Sequence, residues 1–308
     1  MSLTHVGFVD LPPHVHDGGF DHAAVHEASG RIYVAHTAND AIDVIDIDAL
    51  KYVGSVSGLT AVAGALVSES PSLVFTSNRG ENTVGIFAPD DVSRVEKIDV
   101  GMRPNGLAYD PRRARLLCAH VGDPAVAGSY TLSIVDIRGR KRIADLPVAG
   151  RTRWTVYDPV ADVFHVNVMA PPQIVVVAAG DPLGIRRVVT IPHAGPHGLD
   201  LDVVRRRLYC ACDAGVLLEI DADRGSILAT EPIAGVPDVV FFNPALRRLY
   251  VAIGEPGVIE VFDTAPLRRH GTVPTEAGAH TLSFDAARNI VCAFLPASHR
   301  AAVYRDRA

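Results

Sequence analysis

A short pattern, an apolar run closed by an acidic or amide residue that opens into a turn, returns along this chain at intervals of 41 to 48 residues. It reads YDPRRARLL at 109–117, YDPVADVFH at 157–165, LDVVRRRLY at 201–209, FNPALRRLY at 242–250 and, more loosely, FDAARNIVC at 284–292. VHEASGRIY at 25–33 and VSESPSLVF at 67–75 occupy the same place in the first two units. Just upstream, one equivalent position is held in turn by Asp21, Ala63, Asn105, Arg153, His197, Asp238 and His280. Each of the seven units carries short β-branched and aromatic runs bounded by Asp, Pro, Gly and Asn, such as RIYVAHT, AIDVIDI and YVGSVSG, and none shows a helical period. Small sheets of this kind cannot bury both faces until neighbours stack on them, so the expected fold class is all-β, a seven-bladed β-propeller. A single domain over residues 1–308 is expected, its ring closed by the N-terminal run THVGFVDL, which has no unit of its own and completes the short last one.

Composition narrows the partners. A chain of 308 residues, 48% hydrophobic and 21% charged, can bury a large core. The net charge of -6 and the lack of a dense Lys/Arg run argue against nucleic acid or an anionic membrane as partner. The brief basic runs RRARLL and VRRRLY fall in turns and read as solvated loops. No stretch approaches the ~18 apolar residues of a membrane span, and MSLTHVGFVDLPPHVHDGG lacks the basic and apolar regions of an export signal, so a cytoplasmic location is expected. Cys118, Cys210, Cys212 and Cys292 sit in apolar strand-like runs, where a thiol serves as a small hydrophobe. Phosphate-binding loop, dinucleotide fingerprint and nucleophile elbow are all missing. A closed ring needs no partner, so a monomer is expected.

The units resemble the family of seven-bladed propellers with YVTN-type repeats, on RIYVAHTANDAIDVIDIDALKYVGSV (31–56), LVFTSNRGENTVGIFAPDD (73–91) and RLYVAIGEPGVIEVFDTAPLRRHGTV (248–273). The resemblance implies the fold over nearly the whole chain. Proteins that look like this include secreted binding proteins, lactonases and an antibiotic-ring-opening lyase, so activity must be argued from the site.

In a blade, the start of the first strand and the end of the second share one face of the ring. The first set is the upstream position named above; the second is His36, Asn78, His120, Val168, Cys212, Ile253 and Phe294. One channel mouth is therefore expected to gather them, together with His193, His22, His14 and His16 from adjoining segments. Imidazoles beside carboxylates and an amide are metal-ligand chemistry, so His197, Asp238, His280, Asp21 and Asn105 are candidate ligands for a divalent ion, with Zn, Mn, Mg, Ca and Fe all open. The competing explanation is that each ring only hydrogen-bonds a backbone carbonyl between blades. His120 and His36 are candidate proton movers and Arg153 a candidate catalytic cation. Arg151, Trp154, His193, His22 and Asn78 are candidate contacts for a small substrate, the guanidinium suiting a carboxylate and the indole an apolar wall.

The leading expectation is a metal-dependent hydrolase or lyase that opens a lactone or ester-type small molecule at the mouth. A non-catalytic propeller that binds a ligand or a protein there needs the same pocket without an activated base. A His-ligated iron oxygenase is the third reading.

Overall fold

The acidic or amide residue that ends each recurring pattern shapes a turn. In a computed structural model, which describes residues 3–307, Asp158 Oδ1 accepts the amides of Val160 (2.9 Å) and Ala161 (3.1 Å), and Asp202 Oδ1 those of Val204 (3.0 Å) and Arg205 (2.9 Å). Asp110 and Asn243 hold the Arg112 and Ala245 amides in the same way. The turn then closes through a left-handed residue, with φ between 51° and 57° at Ala114, Asp162, Arg206, Arg247 and Asn289. The repeat is therefore a turn that reverses the chain from the first strand of a unit into the second.

Seven four-stranded antiparallel sheets result. Their innermost strands are Phe20–His26, Val62–Glu69, Pro104–Asp110, Thr152–Asp158, Pro196–Asp202, Pro237–Asn243 and Thr281–Asp285, which define blades 1 to 7. Each of these strands packs against the next, and the seventh against the first, so the circle is complete. Leu3–Asp10 pairs antiparallel with Arg300–Asp306 as the outer strand of blade 7. The expected closure by the N-terminal strand is what the chain adopts.

The layers between blades are largely apolar. Tyr33, Ile42 and Val56 of blade 1 meet Val62, Val74 and Phe87 of blade 2, and comparable clusters fill the other junctions. All four cysteines are free and buried in these sheets. Among the described residues no helix is long and apolar enough to cross a membrane.

The basic turn runs are not the solvated loops expected from sequence. Arg113 bonds Asp110 of its own blade and Asp162 of the next (2.8 Å each). Arg206 of blade 5 reaches Asp158 of blade 4 (2.8 Å), and Arg288 of blade 7 reaches Asp48 of blade 1 (2.9 Å). The guanidinium forks lie across the junctions and tie neighbours together.

Close approach of the inner strands explains the glycine two places into several of them. A Cβ on Gly106 would stand 2.4 Å from the Arg153 carbonyl oxygen, and one on Gly198 2.6 Å from that of Asp238. The obstacle in both cases is the backbone of the next blade, which no rotamer relieves. Gly106→Ala is expected to cost about 1–3 kcal/mol in urea unfolding; an unchanged midpoint would show that the blades are not packed this closely.

Candidate functional site at the channel mouth

A bulge near the start of the inner strands decides which side chains reach the mouth. Phe20 pairs with His36 and Ala23 with Val34, so three residues advance on the first strand against two on the second. The same extra residue recurs at Pro104/Leu107, Thr152/Thr155, Pro196/Leu199 and Pro237/Val240. Bulges re-aim side chains out of the pleat. Asp21, Asn105, Arg153, His197 and Asp238 all lie within these bulged stretches, and His280 stands just before the seventh inner strand.

Those residues form one polar network. His197 Nδ1 lies 2.7 Å from Asp213 Oδ1, and its Nε2 lies 2.9 Å from Asp238 Oδ1. Carboxylates on both nitrogens are satisfied only if both nitrogens carry protons. Burial opposes the charge, but Asp238 and Asp213 outweigh it and push His197 up to about 9. Burial likewise opposes the charge on Asp238, yet the His197 cation holds its carboxyl well below the usual range. His280 Nδ1 donates to the Gly278 carbonyl (2.7 Å), so in the neutral ring Nε2 keeps the lone pair, 3.8 Å from Asp238 Oδ2. Its side chain is 42% exposed, the most open imidazole of the group.

Across the mouth the character turns basic. Arg79 bonds Asp21 (3.2 Å) and the side-chain oxygen of Asn105. Arg153 lies 3.8 Å from Asp213 and 3.3 Å from Met169 Sδ. Arg151 makes no ion pair among the described residues, and its Nε is buried without a partner. Burial, followed by the charges of Arg153, Arg79 and Arg103, lowers its guanidinium from the ordinary value, with Asp213 opposing.

Three expected participants lie elsewhere. His36 is fully buried inside blade 1, with Nδ1 2.7 Å from Asp43, which in turn accepts the Ser55 hydroxyl. His120 is buried with Nδ1 2.8 Å from Thr131 Oγ1, and burial takes it down to about 4 against the pull of Asp145. Asn78 is buried on Thr76 and Thr83. These correct the expectation that His36 and His120 move protons at the mouth and that Asn78 touches a substrate there. They end second strands in regular register, outside the bulge, so they stay in the layer between blades. His14, also expected here, packs instead on His36 and His299, with ring centroids 5.0 and 4.4 Å away. His193 makes no hydrogen bond or ion pair among the described residues.

Sequence reasoning missed Arg79, Asp213 and Met169. All three hold one repeat position, the residue just after the end of the second strand, so extending the comparison by a single place would have found them.

Trp154 and His22 are not walls of the mouth but its floor. They sit on blades 4 and 1, far apart around the ring, yet their rings lie tilted against one another with centroids 4.2 Å apart, and Phe241 of blade 6 meets the indole edge-on at 6.1 Å. Contact between distant blades means that the channel is spanned at this level. Burial lowers His22, against Asp21 and Asp238, and keeps it neutral. Beneath lies a cavity of about 590 Å³ lined mostly by apolar side chains.

Known structures share this architecture. Hydrazine synthase from Kuenenia stuttgartiensis superposes with a TM-score of 0.81 at 13% identity, covering 98% of this chain and 97% of that one. A chain in the mitotic checkpoint complex superposes with a TM-score of 0.82 at 12% identity, covering 99% of this chain and 92% of its own. The likeness is one of fold. No protein-family model matches the chain, and no curated protein does.

The donor set does not fit a metal. His197 has both ring nitrogens committed to carboxylates, which leaves it no lone pair to give, and Asn105 accepts from Arg79. Among the described residues no group of three or more His, Cys, Asp or Glu is arranged to hold an ion. His36 and His120, buried on Asp43 and Thr131 inside their blades, do not join His197 and His280 at the mouth.

Proposed function

We propose that this protein binds a small organic anion, a carboxylate-bearing molecule, at the polar mouth of its channel. The observation that carries the reading is Arg151, a half-buried guanidinium among Arg153, Arg79 and Arg103 that has no carboxylate of its own. An incoming carboxylate would relieve that repulsion and accept a paired hydrogen bond. The His197 ring, locked as a cation between Asp213 and Asp238, offers no free donor and serves to hold the acidic side of the mouth rigid. Arg151→Ala is expected to weaken malonate binding by about 10–100-fold in titration calorimetry. Unchanged affinity, or malonate that does not bind the native protein, would remove this reading.

A second reading rests on His280. Its Nδ1 is oriented by a carbonyl and its Nε2 faces the open mouth, the arrangement of a general base. A lactone that also carries a carboxylate would be hydrolysed there: His280 Nε2 takes a proton from water as its oxygen adds to the ring carbonyl, the ring C–O bond breaks, and the imidazolium returns the proton to the departing alkoxide, with no metal required. Lactone turnover that survives chelation and disappears in His280→Ala, while malonate still binds, supports that step; turnover lost on chelation would defeat it. We also propose a cytoplasmic location, with which the four buried free thiols agree.

A further inference from the structure

We propose that the apolar bore beneath the Trp154–His22 floor is a second ligand site, built for a small organic cation: a primary ammonium on a hydrocarbon chain, with Asp200 as its counter-ion. The cavity, about 590 Å³, is of the size that encloses a small molecule. Its walls include Val25, Leu66, Val156, Tyr157, Phe241 and Phe284. It opens at the face opposite the polar mouth, past Pro111, Pro159 and Val203 in the turns that follow the inner strands. Nothing in the proposed anion site contributes to it except its floor.

One charge stands in this bore. The titratable side chains that line it are His22, Tyr109, Tyr157 and Asp200, and no Lys or Arg does. Burial keeps His22 neutral and raises both tyrosines, so neither type carries charge near neutrality. Asp200 is the one acid at its repeat position, which Ala24, Leu66, Ala108, Val156, Phe241 and Ser283 hold in the other blades. Its carboxylate is fixed by the amides of Leu201 (2.8 Å) and Phe242 (2.7 Å), and it has no ion pair among the described residues. Burial pushes it up to about 6 against those two amides, which is the signature of a carboxylate that lacks a cation. A fixed acid in an otherwise apolar chamber rejects anions, and it rewards a ligand that brings one positive charge and hydrocarbon surface. The aromatic side chains of Trp154 and Phe241 in the lining favour the same charge.

The test compares n-hexylammonium, n-hexanol and n-hexanoate on the native chain by titration calorimetry in the presence of saturating malonate, which occupies the anion site at the mouth, with emission of Trp154, the sole tryptophan, as the position report. The ammonium is expected to bind at least about tenfold more tightly than the alcohol, the carboxylate weakest, with a change in Trp154 emission. Asp200→Asn should cost the ammonium about tenfold while leaving hexanol within about twofold. If that variant does not fold, the ranking on the native chain decides alone. Hexanoate binding as well as hexylammonium, no ammonium binding at millimolar concentration, or full ammonium affinity in a folded Asp200→Asn chain would overturn the proposal. Arg151→Ala should leave ammonium binding untouched, so failure at one mouth is read separately from failure at the other.

Discussion

Replacing Asp158 by Ala is expected to destabilise the chain by about 3–5 kcal/mol in urea unfolding, the loss typical when one partner of a buried ion pair is removed. The Asp158 side chain is fully buried and serves two structures at once. One oxygen caps the turn through the Val160 and Ala161 amides. The carboxylate also receives the Arg206 guanidinium from blade 5 and lies 3.6 Å from His165 Nε2. Without it, Arg206 loses its tie to blade 4, and the turn loses its acceptor. Burial opposes the charge, but the nearby His165 ring, the Arg206 guanidinium and the Ala161 and Val160 amides win and hold the carboxyl well below the ordinary range. Asp158→Asn keeps an oxygen for the turn and should lose less. A loss below about 1 kcal/mol in the alanine variant would mean that the junction is not held by this pair.

The second large effect is one of pH. A ring that titrates near 9 in the folded chain and at 6.5 when unfolded contributes on the order of 3 kcal/mol to stability. Because the folded value is the raised one, this contribution is complete below pH 6.5 and is lost as pH rises through 9. Native protein should therefore lose stability between pH 6.5 and 9.5, and His197→Gln should lack that part of the slope. Parallel slopes in the two proteins would show that His197 is not held as a cation.

The fold was legible because a turn repeats. Asp110, Asp158, Asp202 and Asn243 each spend a side-chain oxygen on turn amides, and that local chemistry leaves the same letters in every unit. The site was legible only in part. Position along the repeat places His197, Asp238, His280, Asp21, Asn105 and Arg153 at one mouth, and the structure brings them there. It does not reveal a bulge, because an extra unpaired residue leaves no mark in a strand of mixed polarity. Without the bulge His36 and His120 look equivalent to His197, whereas they remain in the pleat. Nor does spacing reveal protonation: two carboxylates on His197, one of them from the overlooked Asp213, turn a candidate ligand into a fixed cation. Asp200 carries no such mark, since an acid in the middle of PHGLDLD also fits the exposed side of an alternating strand.

Pairing of Leu3–Asp10 with Arg300–Asp306 sets the order of assembly. Six sheets are built from contiguous sequence and are free to form as the chain emerges from the ribosome, but the seventh needs the first strand to wait for the last. The circle can lock only after synthesis has passed residue 300, so until then the early strand and one flank of the arc stay without their neighbours. Contacts between such remote partners come at the greatest loop-closure cost, which makes this latch the natural slow step of folding.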